Sequence, residues 1–245
     1  MFDKTIFLQQ AVEVYPTELK NVHNCLVLVP HPDDESLGCG GLIAMLTGKK
    51  ADVSVIVTTD GSQSHPNSIA FPPEKVKQIR EKEVLKALEI LGVDQENVSF
   101  LEGKDTCLPS RNQEGFEDLC YKMAGTIKRL KPQLILVPYE LDPHCDHRAT
   151  WQLLDEVLSQ FGHLRVWEYP IWLYELAREE DVPELKAGEL KKLNISHYLN
   201  TKLQAIHSHV SQTTKLIDDD PNGFILTHEM IGHFTTDFEY FIERR

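Results

Sequence analysis

A chain of 245 residues with a formal charge of −13 can bury one α/β core, but it lacks the basic footprint that nucleic acid or an anionic membrane requires. Its five cysteines, Cys25, Cys39, Cys107, Cys120 and Cys145, are scattered without a C-x-x-C pair, so neither a zinc knuckle nor a redox dithiol is indicated and a reducing, cytoplasmic setting fits best. Met1-Phe2-Asp3-Lys4 leads into no apolar signal region and no apolar run approaches transmembrane length, so no membrane anchoring is expected.

The apolar run at 25–30 predicts a buried first strand, followed by a glycine-rich helix from 36 to about 48. Residues 53–58 predict a second strand, and the turn formers over 60–73 a loop. The clearest helix opens at Pro73, with Val76, Ile79, Val84, Ala87, Leu88 and Leu91 on one face and Gly92 where a C-cap belongs. A strand at 98–101, a helix at 116–130, a strand at 134–138 and a helix at 147–161 come next. Residues 164–169 predict a fifth strand and 201–216 a further helix, while the charge-rich stretch 177–192 reads as a surface excursion. From 218 onward the pattern assigns nothing.

This alternation predicts an α/β fold, a mostly parallel sheet with helices on both faces, in one domain over 1–245. In such sheets ligands bind beyond the carboxyl ends of the strands, where the strand order reverses. With order 3-2-1-4-5, that point lies between the first and fourth strands. Chemistry is therefore expected after each of them.

Both places carry it. His31, Asp33, Asp34 and Glu35 end the first strand, and carboxylates this close raise each other's pKa unless a cation sits among them. Capping a helix needs one acid, not three beside a histidine. Asp142-Pro143-His144-Cys145-Asp146-His147 follows the fourth strand. His31 and Asp34, three apart at a strand-to-helix turn, together with His147, make a facial His-Asp-His set that leaves a position for water, the pattern of a catalytic zinc site. Iron(II) or another divalent metal also suits such a face.

The segments Pro30-His31-Pro32-Asp33-Asp34-Glu35 with Gly38, Gly40 and Gly41, and Asp142-x-His144-x-Asp146-His147, resemble those of the PIG-L/LmbE family of zinc-dependent de-N-acetylases. Thr58-Thr59-Asp60-Gly61, Arg80-x-x-Glu83-x-x-x-Ala87 and His209-x-Ser211-Gln212 agree, so the resemblance spans about 25–212. It implies a Rossmann-like fold and removal of acetyl groups from N-acetylglucosamine-containing molecules. It also implies His31, Asp34 and His147 as zinc ligands and Asp33 as general base. His144, when protonated, would stabilise the oxyanion, with Asp146 orienting and charge-stabilising His144. Arg80 and Asp105 match sugar- or phosphate-contacting positions. For Arg80 an ion pair with Glu83 is the equal alternative. Cys145 departs from the family pattern, since relatives often carry proline there.

The expected activity is thus a zinc-dependent amidohydrolase acting on a small N-acetylated amino-sugar substrate. The alternative is a non-catalytic sugar- or nucleotide-binding module on the same fold, which would need neither Asp33 nor His144. A nucleotide loop is disfavoured because Ile43 holds the third glycine position of G-x-G-x-x-G. Oligomeric state, a homo-oligomer included, and the aglycone stay open at the level of sequence.

Overall fold

The computed structural model describes residues 4–162 and 164–243. Its first half runs through α1 (Lys4–Gln9), β1 (Val12–Val14), β2 (Asn24–Val29), α2 (Asp34–Gly48), β3 (Asp52–Thr59), α3 (Pro73–Ile90), β4 (Val98–Gly103) and α4 (Phe116–Leu130). The second half continues with β5 (Leu134–Pro138), α5 (Cys145–Leu158), β6 (Arg165–Tyr169), β7 (Leu190–Asn194), α6 (Leu199–Ser208), α7 (Val210–Thr213), α8 (His228–Gly232) and β8 (Phe238–Ile242).

The strands form one sheet in the order β1-β7-β8-β6-β5-β2-β3-β4. All neighbours are parallel except β8, which runs antiparallel to β6 and β7. Within it, β4-β3-β2-β5-β6 is the 3-2-1-4-5 order expected from the sequence. The chain leaves β2 toward β3 and leaves β5 toward β6, so the crevice opens beyond the adjacent ends of β2 and β5.

Side chains alternate across β2 and are buried on both faces, as a doubly covered parallel strand requires. Val27 and Val29 pack with Leu37, Leu42, Val84 and Ala205 on one face. Leu26 and Leu28 pack with Leu119, Met123 and Leu153 on the other.

Helix α2 is buried from Asp34 through Leu46, and small residues let it press on the sheet. A Cβ at Gly38 would lie 2.3 Å from the Tyr169 ring, and one at Gly41 2.7 Å from Ile195. The glycines serve packing rather than a phosphate. Cys39 leaves helical geometry at φ −145°, and the Gly41 and Leu42 amides beyond it donate to the Glu239 carboxylate at 2.7 and 2.8 Å. Lys202 Nζ, also buried, completes that cap 2.8 Å from Glu239 Oε1.

Four readings need correction. The stretch 177–192 is not all surface excursion, because it runs into β7, where only Leu190 and Leu193 are buried and the intervening lysines hide the strand pattern. The helix expected over 201–216 breaks at His209, whose φ/ψ of −79°/65° separates α6 from α7. Helix α5 starts at Cys145, two residues earlier than expected, because His144 serves as its N-cap. Strands β1 and β8 lie where sequence periodicity gave no assignment. Among the described residues no helix is long and apolar enough to cross a membrane.

Candidate metal centre

The turn after β2 is built around a strained residue. Asp33 has φ 130°, a conformation that side-chain-bearing residues rarely adopt. Its amide donates to Glu35 Oε2 at 3.0 Å, and the His31 amide donates to Asp34 Oδ2 at 2.9 Å. The turn thereby aims Asp33 and Asp34 in separate directions from the head of α2. After β5, the His144 Nδ1 atom accepts the Asp146 amide at 3.2 Å, and the helix started there carries His147 inward on its first turn.

The two loops meet on one oxygen. Asp34 Oδ2 lies 3.3 Å from His31 Nδ1 and 3.2 Å from His147 Nε2, with the two rings 5.3 Å apart. His31, His144 and His147 offer nitrogens within 4.8 Å of one another. His147 is fully buried, yet neither of its ring nitrogens makes a hydrogen bond of good geometry. Two imidazoles and a carboxylate converging in this way, with orphaned nitrogens among them, fit a divalent ion of the zinc type.

Carboxylates stand behind the imidazoles. Asp142 Oδ1 lies 3.3 Å from His147 Nδ1. His31 Nε2 lies 3.0 Å from Asp146 Oδ2 and 3.2 Å from Asp105 Oδ1. Such partners orient ligand rings and raise their basicity. Burial works against charge on His147, but Asp34 and Asp142 outweigh it and push its pKa up to about 9. His31 is likewise raised against burial by Asp105, Asp146 and Asp34. The field at this spot calls for positive charge.

The carboxylate of Asp146 does not orient His144. It is held by His31 and by the Thr106 and Leu108 amides at 2.7 and 3.1 Å, and only its backbone N–H reaches His144. Nor is His144 cationic. Burial, with His31 and His147 beside it, lowers its pKa to about 4, and its Nδ1 accepts a hydrogen bond, so the proton sits on Nε2.

Asp33 is clamped by Arg80, whose Nη2 donates to Asp33 Oδ2 at 3.1 Å and to the Pro32 carbonyl at 2.6 Å, while Nη1 donates to the Gly61 carbonyl at 2.9 Å. Glu83 is not its partner; that carboxylate takes the Ser211 amide and hydroxyl at 2.7 and 2.6 Å. Burial pushes Asp33 up to about 7, Arg80 opposing and Asp34 adding to the rise. Glu35, which holds the Asp33 amide, is itself met by His209 Nε2 at 2.8 Å. Sequence reasoning left Asp142 without a role although it stood in the second motif, and it missed the Glu35–His209 contact and Glu239. Only the placement of an acid opposite an imidazole or a broken helix reveals them.

A cavity of about 250 Å³ opens over these groups. It is lined by Asp33, Asp34, Arg80, Asp105 and His144, by the polar Gln63, Ser64 and Thr106, and by residues of the segments 171–176 and 224–234.

The family model described as PIG-L, GlcNAc-PI de-N-acetylase, matches residues 26–158, more than half of the chain. The chain belongs to the PIG-L family. As a member it is a hydrolytic N-deacetylase. It is 27% identical over 200 residues to a Bacillus anthracis protein named probable N-acetyl-α-D-glucosaminyl L-malate deacetylase 2, covering 79% of this chain and 83% of that one. It is 28% identical over 207 residues to the diacetylchitobiose deacetylase of Thermococcus kodakarensis, covering 78% and 71%. The fold is shared with the N,N'-diacetylchitobiose deacetylase of Pyrococcus horikoshii, with a TM-score of 0.69, 21% identity and coverage of 94% and 86%. The PIG-L match takes in His31, Asp33, Asp34, Asp142, His144, Asp146 and His147 of the candidate metal centre, and Arg80. It ends before the cavity side formed by 171–176 and 224–234.

Proposed function

We propose that this PIG-L protein is a divalent-metal hydrolase, zinc being the ion its donor set suits, that removes acetyl from an N-acetylglucosamine-containing small molecule or glycoconjugate. The observation that carries the reading is the approach of His31 Nδ1 and His147 Nε2 to Asp34 Oδ2 at 3.3 and 3.2 Å. Both curated relatives described above are named for substrates containing N-acetylated glucosamine, which supports the substrate class.

His31, Asp34 and His147 would hold the ion, which when bound polarises an amide carbonyl and brings the pKa of water toward ~7. Asp33 lines the cavity beside this set without joining it. Its carboxylate takes a proton from the attacking water as the new C–O bond forms. It then delivers a proton to the amide nitrogen as the C–N bond breaks, which releases acetate and a free amine. A carboxyl raised to about 7 suits both halves of that duty. His144 Nε2–H donates to the carbonyl oxygen as it gains negative charge, and does so as a neutral imidazole. Arg80 fixes Asp33 rather than leaving it free to rotate. Gln63, Ser64, Asp105 and Thr106 offer partners for sugar hydroxyls along the polar side.

The test combines metal analysis with an assay for free amine on N-acetylglucosamine and diacetylchitobiose. Wild type is expected to bind about one equivalent of ion through its three ligands. Asp33→Ala should keep the ion and lose nearly all turnover, whereas His147→Ala should lose both together. A metal-replete protein that frees no amine from any N-acetylated sugar contradicts the reading. Undiminished turnover in Asp33→Ala removes Asp33 as base.

A further inference from the structure

The cavity over the metal centre has two unlike parts. Gln63, Ser64 and Thr106 give it a polar part, whereas Ile171, Trp172, Leu176, Phe224, Met230 and Phe234 give it an apolar wall, the two meeting where Phe224 adjoins Ser64. Leu176 stands 57% exposed at its rim, an apolar side chain left in water. The wall begins beside the reacting groups, since Trp172 stacks over His144 with centroids 6.3 Å apart and meets Phe224 edge-on at 5.4 Å. It is also pre-formed. The Phe224 amide donates to the Ser64 carbonyl at 2.7 Å, the Leu226 amide to the Gln212 carbonyl at 2.7 Å, and the Ile171 and Trp172 amides to Asp142 Oδ2 at 3.1 and 2.9 Å.

The charge of the cavity is as informative as its apolar side. Asp33, Asp34, Asp105 and Glu175 line it, and among the described lining residues Arg80 is the one Lys or Arg. Arg80 is already held by Asp33 and two carbonyls. His233 Nε2 sits 2.6 Å from Glu175, and Lys4 is held on the far nitrogen of that ring and over the Tyr174 ring. Asp34 belongs to the proposed ligand set, Asp33 is paired with Arg80, Asp105 with His31 and Glu175 with His233, so a carboxylate or phosphate on the substrate would find no uncommitted guanidinium or ammonium among the described lining residues. A hydrocarbon would find a dry surface next to the scissile amide.

We propose that the substrate carries an apolar group of several carbons that lies on the 171–176 and 224–234 wall, and that substrates with an anionic aglycone are disfavoured. This inference rests on the deacetylase reading for its position next to the amide. The apolar group belongs either to the aglycone or to an N-acyl chain longer than acetyl. In both cases the sugar hydroxyls face the polar side.

The experiment uses the 245-residue, metal-loaded protein and four probes of one sugar. These are the methyl and n-hexyl N-acetylglucosaminides, a dicarboxylate-bearing N-acetylglucosaminide, and methyl N-hexanoylglucosaminide. Rates of amine release are paired with calorimetric binding of methyl and n-hexyl glucoside, which have no amide to cleave. Each buried methylene adds several-fold to affinity, so a hexyl chain that reaches the wall is expected to raise kcat/KM and binding by about tenfold or more over methyl. The dicarboxylate should fall below methyl. A gain confined to the n-hexyl glycoside assigns the wall to the aglycone, and a gain confined to the hexanoyl amide assigns it to the acyl chain. Leu176→Lys, at an exposed position where folding is safe, should erase most of that gain and improve the dicarboxylate. Equal rates for methyl and hexyl in both series, or a dicarboxylate as good as hexyl, overturns the proposal. Tight hexyl glucoside binding without any amine release leaves the wall assigned and removes the deacetylase reading instead.

Discussion

Arg80 Nη2 lies 3.1 Å from Asp33 Oδ2, joining residues 47 positions apart, and neither side chain is more than 7% exposed. One α3 side chain thus holds both the carboxylate and, through the Pro32 carbonyl, the backbone of the strained turn that aims it. The same guanidinium reaches the Gly61 carbonyl from the next strand end. A planar fork with several donors can do this; a single ammonium cannot.

Arg80→Lys should therefore keep the metal and lose turnover. The charge survives, but the fork to Pro32 and Gly61 does not, so Asp33 is freed to rotate. We expect kcat to fall at least about tenfold, with KM changed less, and an unchanged metal content. Arg80→Ala should go further in turnover and lower the stability of the fold by about 1–3 kcal/mol, because it leaves the Pro32 and Gly61 carbonyls without their donor while the buried Asp33 takes up a proton. Metal analysis, steady-state kinetics and urea unfolding on the same preparations check this. An Arg80→Lys enzyme with wild-type kcat refutes the clamp.

Asp142 acts on the centre through other groups. Its Oδ1 faces His147 Nδ1 at 3.3 Å and accepts the His144 amide at 3.1 Å, while Oδ2 takes the Ile171 and Trp172 amides. Asp142→Asn retains the shape but loses the charge that orients the ring and raises its basicity. Metal affinity is expected to drop by about 10–100-fold, with kcat restored by excess ion. Competition against a chelator measures the first and titration with added metal the second. Unaltered affinity would show that Asp142 serves only the loop.

The fold's centre and the two motifs that meet at the candidate site were legible in the sequence for one reason: each rests on a local signal. Apolar runs such as Leu134-Ile135-Leu136-Val137 announce a doubly covered strand, and a histidine and three acids placed within six residues of Val29 have no packing use. What the sequence did not carry is pairing across distance. Asp146 looked like a partner for its neighbour His144, but its carboxylate is turned toward His31, 115 residues away. Strand β7 was hidden because an edge region with Lys191 and Lys192 half-buried shows little alternation. Glu239 became meaningful only once β8 was seen beside the break in α2.

Gly38 tests the coupling of packing to the centre. A methyl group there would meet the Tyr169 ring at 2.3 Å, and Tyr169 is itself fixed by its hydroxyl, which donates to the Leu28 carbonyl at 2.6 Å. The ring cannot yield without losing that bond, so α2 must shift. Gly38→Ala is expected to cost about 1–3 kcal/mol of stability, as overpacking does. Because Asp34 rides on the same helix, metal affinity should fall with it. Gly125→Ala, inside α4 and with nothing within 4 Å of the new Cβ, is the control and should raise stability by about 0.5–1 kcal/mol while leaving metal affinity unchanged. If Gly38→Ala matches that control in unfolding midpoint and chelator competition, the helix does not transmit the strain.

Asp219 tests the fastening behind the apolar wall. Its carboxylate accepts the Ser68 hydroxyl at 2.5 Å and the Ile69 and Ala70 amides at 2.8 and 2.9 Å, joining the loop after β3 to the segment that leads into Phe224. The Ala70 amide first, and then the Ser68 hydroxyl, hold its pKa below the ordinary carboxylate value. A group depressed in this way favours the folded state above its unfolded pKa of about 3.9. That contribution is lost as pH falls through the lower, folded value. Asp219→Asn should therefore melt earlier than wild type at neutral pH, and the gap should close on acidification below about pH 4. The loosened wall should also weaken binding of n-hexyl glucoside while leaving metal content intact. Melting curves of the two proteins between pH 7 and 3 decide it. A gap that stays constant as the carboxylate protonates means that the clasp does not depend on the charge of Asp219.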